Sequence, residues 1–339
     1  KYPFEFSFNE NKINLEYSIL NPIDINIFLP NLRKNQIKLI ISNNTNNKIL
    51  SSISLDGKPY WKIKDKNLKK VLSPNKTYNH MVKAELKGYN SEQKYPIKVK
   101  IKSEKYEAQF IKTFVVAYAY QAEKELSLNG DWKGWIKTTP IKINRSDQVC
   151  KLLMGNQKWN GPEDLSAEIY VMYDRKYLYI GADVKDDIVI SNWNYPEMSY
   201  PWDTDSIEFM IDIRTNSDQG CDPPTPGFYR HLMLAEYRKT DFAQWRFGSA
   251  GGPILPKPNL LKNAETYFKK KNDGYIMICK IPLVDFGKQI CRKGNKIGFD
   301  IGINDNDGTS FRKNLHIWSS YTQNQVWWVI ESIGALIFK

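Results

Sequence analysis

The sequence predicts an all-β protein made of two β-sandwich domains, residues 1–122 and 123–339. Three observations carry this. Apolar and polar residues alternate in short runs, the period of a strand with one buried face. Clusters of Asn, Asp, Gly, Pro and Ser, residues that build turns, fall between the runs at close intervals. The chain has 339 residues, too many for one ordinary domain and enough for each half to bury its own core.

In the first half, residues 37–41, 97–101 and 110–119 read as strands, rich in β-branched and aromatic side chains. The turns between strands are residues 43–47, 56–59 and 73–75. Helical periodicity is weak throughout; short helices are expected only at residues 65–71 and 283–289. A polar connector at residues 121–125 follows the last strand of the first domain. The second half continues as a strand series: residues 167–173 and 177–184 as a hairpin, then 206–213, 231–237, 274–281, 296–304, 315–319 and 334–338. Residues 188–205 and 214–228 are long loops rich in Trp, Tyr, Pro and Asp. Loops of that length in a compact domain are commonly functional.

The net charge of +12 sits almost wholly in the first half. Residues 1–120 carry 21 Lys and Arg against 10 Asp and Glu, a net +11, and the remainder carries 28 against 27. The lysines alternate with apolar residues as solvated strand faces do, and no nucleic-acid recognition motif accompanies them. Nucleic acid is therefore excluded, and an anionic polymer or surface is the alternative partner. No apolar run reaches the 18 residues of a membrane span. The four cysteines, Cys150, Cys221, Cys279 and Cys291, include no C-x-x-C pair, which argues against a zinc ribbon. They permit two disulfides or buried thiols; Cys279 lies in an apolar strand, as a buried thiol does. Asp203, Asp205, Glu208 and Asp212 offer carboxylates without a glycosidase pattern. The three histidines accompany no Gly-x-Ser-x-Gly elbow, so no catalytic residue is assigned.

Two resemblances sharpen this. Residues 37–71, with strand, Asn/Thr turn, strand, Tyr60-Trp61 and a Leu-x-Pro turn, resemble the immunoglobulin-like modules of bacterial surface and secreted proteins. Residues 126–339 resemble family 9 carbohydrate-binding modules. The matching motifs are Leu128-Asn129-Gly130-Asp131-Trp132 with Trp135, the hairpin of residues 167–187, and Pro201-Trp202-Asp203-Thr204-Asp205-Ser206-Ile207-Glu208. Further matches are Gly274-Tyr275 with Ile281-Pro282, residues 298–305, Arg312 to Trp318, and Trp327 seven residues before Gly334.

The resemblance implies a non-catalytic module that binds oligo- or polysaccharide ends, extracellular or at the cell surface, beside neighbouring enzyme or cell-envelope domains. Sugars present CH patches to aromatic faces and hydroxyls to polar side chains. By resemblance Trp202 and Trp327 sandwich the terminal sugar, with Glu208, Arg312 and Asn324 at its edge and Arg230 as a further basic contact. Trp327 and Trp328 are adjacent and point to opposite faces if extended; the spacing selects Trp327. Gly302 stands where the family can place a Gln. The family also implies structural calcium, for which Asp183, Asp186, Asp187, Asp203 and Asp205 are the candidate ligands. Asp305-Asn306-Asp307-Gly308 reads as a hairpin turn. The alternatives are a structural cell-envelope protein whose sandwich no longer binds sugar, and a haem-binding sandwich using Met210, Met233, His231 and His316.

Overall fold

The computed structural model describes residues 21–31, 35–87, 90, 93–135, 139–150, 158–190, 192–193, 201–214, 229–237, 240–246, 259–260, 263–287, 289–308, 312–319 and 333–339. The chain forms two compact units, residues 1–90 with 94–114, and residues 91–93 with 115–339.

The first unit holds β1 (Ile23–Asn31), β2 (Gln36–Asn43), β3 (Ile49–Asp56), β4 (Trp61–Ile63), β5 (Asn67–Leu72), β6 (Lys76–Leu86), β7 (Lys94–Lys102) and the start of β8 (Glu107–Gln121). One antiparallel sheet runs β1-β2-β6-β4. In the other, β3 pairs with β5 on one side and β7 on the other. Period-two alternation explains both sheets: Ile37, Leu39 and Ile41 of β2 and Tyr95, Ile97, Val99 and Ile101 of β7 are buried, while the residues between them reach water. The helix expected at residues 65–71 is instead strand β5. Asp65 takes a left-handed φ of 52° that opens a turn, and residues 67–72 pair with residues 49–54 of β3. Tertiary pairing overrides the weak helical spacing.

The long strand β8 carries the chain from one unit to the next. Residues 116–119 pair with the C-terminal strand and residues 120–121 with residues 172–173, so from Val115 onward β8 belongs to the second unit. The division therefore falls inside this strand rather than at the polar connector after it.

The second unit contains β9 (Ile141–Ile143), β10 (Leu165–Tyr173), β11 (Tyr177–Asp186), β12 (Asn192–Trp193), β13 (Ser206–Asp212), β14 (Tyr229–Tyr237), β15 (Thr240–Arg246), β16 (Asn259–Leu260), β17 (Glu265–Lys271), β18 (Gly274–Pro282), β19 (Lys296–Asp305), β20 (Asn314–Ile317) and β21 (Gly334–Phe338). One sheet runs β9-β10-β11-β18-β17. The other runs β16-β15-β14-β13-β19, with β20 and β21 sharing the far edge of β19. Ile169, Val171, Leu178 and Ile180 meet Ile207, Phe209, Ile301 and Ile303 in one core. On the other face of β11, Gly181 leaves room for Trp132: a Cβ there would stand 2.8 Å from the indole. Trp135 is buried beside Trp132 and packs edge-on against Tyr179. The helix expected at residues 283–289 is one 3-10 turn, Leu283–Phe286, ended by Gly287 at φ 68°. Cys150, Cys279 and Cys291 are buried, Cys279 and Cys291 as free thiols, and burial pushes the Cys279 thiol up; Cys221 lies outside the described residues.

Candidate functional site

Every residue of β13 is buried. One side of the strand, Ile207, Phe209 and Ile211, fills the core. The other side carries Ser206, Glu208, Met210 and Asp212, so this side of the strand is also withdrawn from water. Register sets the neighbours: Glu208 stands opposite Gly302 on β19 and Met233 on β14, and Ser206 opposite Asn304.

A polar array forms on this face. Asn304 donates through Nδ2 to Glu208 Oε1 at 2.8 Å and to Ser206 Oγ at 3.0 Å. Arg312 donates through Nη1 to Asn304 Oδ1 at 2.7 Å and to Glu208 Oε1 at 3.2 Å. The carboxylate at 208 is thereby held in one place by a charge-assisted pair and an amide. Trp202 is half-buried on the 3-10 turn Pro201–Asp203 that leads into β13. At the opposite end of β13, Arg214 and Asp212 form a buried pair, Nη2 to Oδ2 at 2.6 Å. Gly302 leaves a bare floor beside Glu208: a Cβ there would stand 3.7 Å from Glu208 Cβ and 3.0 Å from Leu315 Cδ1.

A second cluster lies where the ends of β11, β13 and β19 converge. Asp186, Asp205 and Asp305 are buried and present carboxylate oxygens within 4.8 Å of one another. Asp187 with Asp307, and Asp164 with Asp305 and Asp307, extend it. Burial pushes the Asp186, Asp205 and Asp305 carboxyls well above the usual carboxylate range, and their mutual repulsion adds to it. Lys313 neutralises one side, with Nζ 2.5 Å from both Asp164 Oδ1 and Asp307 Oδ2. Set against the six carboxylates of Asp164, Asp186, Asp187, Asp205, Asp305 and Asp307, the Lys313 ammonium leaves five negative charges when all are ionised. Asp186 Oδ2, Asp305 Oδ1, Asp307 Oδ1 and the Tyr275 hydroxyl are buried without a hydrogen-bond partner. Unsatisfied hard oxygens in this number are the donor set of a divalent cation such as calcium, and the residues fit that ion.

The structure thus brings Asp186, Asp187 and Asp205 together from the expected ligands and leaves out two. Asp183 pairs with Lys271 at 2.5 Å. Asp203 faces Arg312, which opposes the upward push of burial on its carboxyl. Beyond the expected ligands stand Asp305 and Asp307, from the turn whose likeness to a calcium loop ranks below a hairpin turn in the sequence, together with Asp164, Lys313 and Tyr275. The pair Asp305 and Asp307 is visible as an acidic turn; Asp164 gives no signal, because more than twenty positions separate it from Asp186, the nearest of the others in sequence. Asn304 was visible as the period-two neighbour of Gly302. Trp327 and Asn324 lie outside the described residues, as does the side chain of Arg230, whose backbone stands opposite Ile211 rather than Glu208.

Of the four haem candidates, His316 and Met210 do not come together. His316 pairs with Ile303, a core residue, whereas Met210 lies on the outer face of the same sheet. Antiparallel partners share a face, so the two groups point to opposite sides. The side chain of His231 lies outside the described residues.

Comparison with known proteins closes the question of family. Over 191 residues the chain is 27% identical to endo-1,4-beta-xylanase C of Paenibacillus barcinonensis, covering 55% of this chain and 15% of that protein. It is 29% identical over 163 residues to endo-1,4-beta-xylanase A of Thermotoga maritima, covering 48% of this chain and 13% of that protein. The match is thus a small part of each relative. A carbohydrate binding module family 9 structure from Caldicellulosiruptor kristjanssonii in complex with cellotriose is 18% identical with a TM-score of 0.47, covering 66% of this chain and 93% of that one. Residues 133–338 match the family model described as carbohydrate family 9 binding domain-like. The chain belongs to that family, and its second unit is a non-catalytic carbohydrate-binding β-sandwich.

Proposed function

We propose that the second unit grips the end of a plant-type polysaccharide at the outer face of β13 and β19, with Trp202 and Trp327 against the pyranose faces. The observation that carries this is the array Glu208–Asn304–Arg312 beside the turn that bears Trp202. Its polar atoms are fixed before any ligand arrives, so little ordering is left for binding to oppose. Sugar hydroxyls accept from Arg312, the more exposed end of the array, which Glu208 and Asn304 hold from beneath, while Asn324 adds an edge contact. The relatives named as xylanases support a xylan- or cellulose-like ligand and an extracellular or cell-surface site of action beside a glycoside hydrolase.

The test is a tryptophan-fluorescence titration of the full chain with cello-, xylo- and manno-oligosaccharides. Binding to one series is expected, weakened about tenfold or more by Trp202→Ala and by Glu208→Gln, the scale of losing a hydrogen bond to a charged group. No response to any series, or unchanged affinity in both variants, overturns the site.

The aspartate cluster in this reading holds calcium, which neutralises Asp186, Asp205 and Asp305 and ties the ends of β11, β13 and β19 together. Calcium is then expected to raise the thermal midpoint of the intact chain and chelator to lower it, with Asp205→Asn abolishing the difference. An equal midpoint with and without calcium rejects the assignment.

A further inference from the structure

The basic charge of the first unit is gathered into a row. On β7 the sequence Lys98-Val99-Lys100-Ile101-Lys102 buries Val99 and Ile101 and turns all three lysines to the opposite face. Across the sheet, Lys98, Lys100 and Lys102 stand opposite Asp56, Ser54 and Ser52 of β3. Beyond Ser52 on the other side stands Lys69 of β5. The middle strand therefore offers small hydroxyl side chains as a floor between lysines on both flanks. Next to them Leu50 and Val71, paired across β3 and β5, are 67% and 54% exposed.

The charges act together. Same-face residues on a strand are about 6.7 Å apart, and the Debye length at physiological salt is about 8 Å, so neighbouring lysines share one field. Two carboxylates temper it: Asp56 at one end, and Glu107, 3.6 Å from Lys102. Among the described residues Lys69, Lys98 and Lys100 have no carboxylate within ion-pair reach. A row of like charges on one flat face repels itself, and a ligand of opposite charge relieves that repulsion.

We infer that this face of β5, β3 and β7 is a second carbohydrate-binding surface, for an acidic polysaccharide carrying repeated carboxylates. The lysines take the carboxylates, Ser52 and Ser54 take hydroxyls, and the exposed Leu50 and Val71 cover CH patches of the sugar rings. No aromatic ring stands among these positions to stack a nucleobase, which separates this surface from a single-strand nucleic-acid platform. The choice of a glycan over other polyanions rests also on the family of the second unit.

The test uses the full chain with polygalacturonate as the acidic probe, unsubstituted xylan as the neutral one, and poly(dT) and phosphatidylglycerol vesicles as other polyanions. Polygalacturonate is expected to bind, and raising salt from about 0.05 to about 0.5 M is expected to weaken it tenfold or more, as screening requires. The combined variant Lys69→Gln, Lys98→Gln, Lys100→Gln, Lys102→Gln is expected to lose that binding, while the same four changed to Arg retain it. The Arg variant separates loss of charge from loss of fold. Binding of neutral oligosaccharide by the second unit is expected to be equal in all three proteins, so failure of one site is read independently of the other. Absence of polygalacturonate binding, its persistence in the Gln variant, or tighter binding of poly(dT) or vesicles overturns the inference.

Discussion

The two units treat charge in opposite ways. In the first, lysines stand on outer strand faces, and strands such as β2 alternate strictly between buried and half-buried residues. In the second, β13 is buried on both faces, and its charges are buried with it and paired: Glu208 with Arg312, Asp212 with Arg214. The first unit carries nearly all the net charge, and the second carries the fixed polar groups. The lesson is that net charge does not locate a site. A charge in water contributes a diffuse, salt-screened field, whereas a buried one must have a partner at a set distance, and a set distance is what recognition needs.

Three changes test this contrast, in falling order of expected effect. Arg214→Met leaves the Asp212 carboxylate buried without its cation. Loss of about 3–5 kcal/mol is expected in denaturant unfolding, the usual cost of stranding a buried charge. A loss below about 1 kcal/mol would show that β13 is not sealed as its burial indicates.

His316 gives a pH-dependent version. Burial pushes its imidazole down to about 4, with Asp164 opposing and Lys313 reinforcing. A histidine with a depressed folded pKa takes up its proton more readily when unfolded. Its contribution is intact above about pH 6.5 and is lost as pH falls toward 4, approaching about 3 kcal/mol. His316→Phe, which preserves a ring against Trp159, is expected to flatten that limb of the stability–pH curve. An unchanged slope between pH 6.5 and 4 would place the acid sensitivity elsewhere.

The smallest effect belongs to the first unit. Lys100→Gln on the exposed face of β7 is expected to shift stability by no more than about 0.5 kcal/mol, at any salt concentration, since it breaks no ion pair with a described residue. A larger loss would mean that the lysine row supports the fold rather than facing a ligand.

Much of the fold was legible along the chain. Residues 97–101 read as a strand because apolar side chains recur at every second position, and β7 buries those positions. The hairpin of β10 and β11 was legible for the same reason, with Asp174 at its turn accepting from the backbone of Lys176 and Tyr177. Residues 65–71 are ambiguous along the chain because a short run with two apolar residues, Leu68 and Val71, satisfies either period, and only pairing with β3 decides between them. The site was legible in part. Glu208 and Arg312, both marked by the family resemblance, do meet, while Asn304, which bridges them, sits within the matched segment 298–305 with no local signal of that role.

The sequence by itself determined the all-β class, the alternation that chooses each buried face, the asymmetry of charge between the halves, and the motifs that mark the family. Only the tertiary structure decided that both faces of β13 are closed to water. It also drew Asp164, Asp186, Asp205, Asp305 and Asp307 into one cluster with Lys313 at its side, and separated His316 from Met210 by the thickness of a sheet. The reason is physical. Period and propensity are local and are written along the chain, but desolvation and the distance between charges depend on residues brought together from more than a hundred positions away.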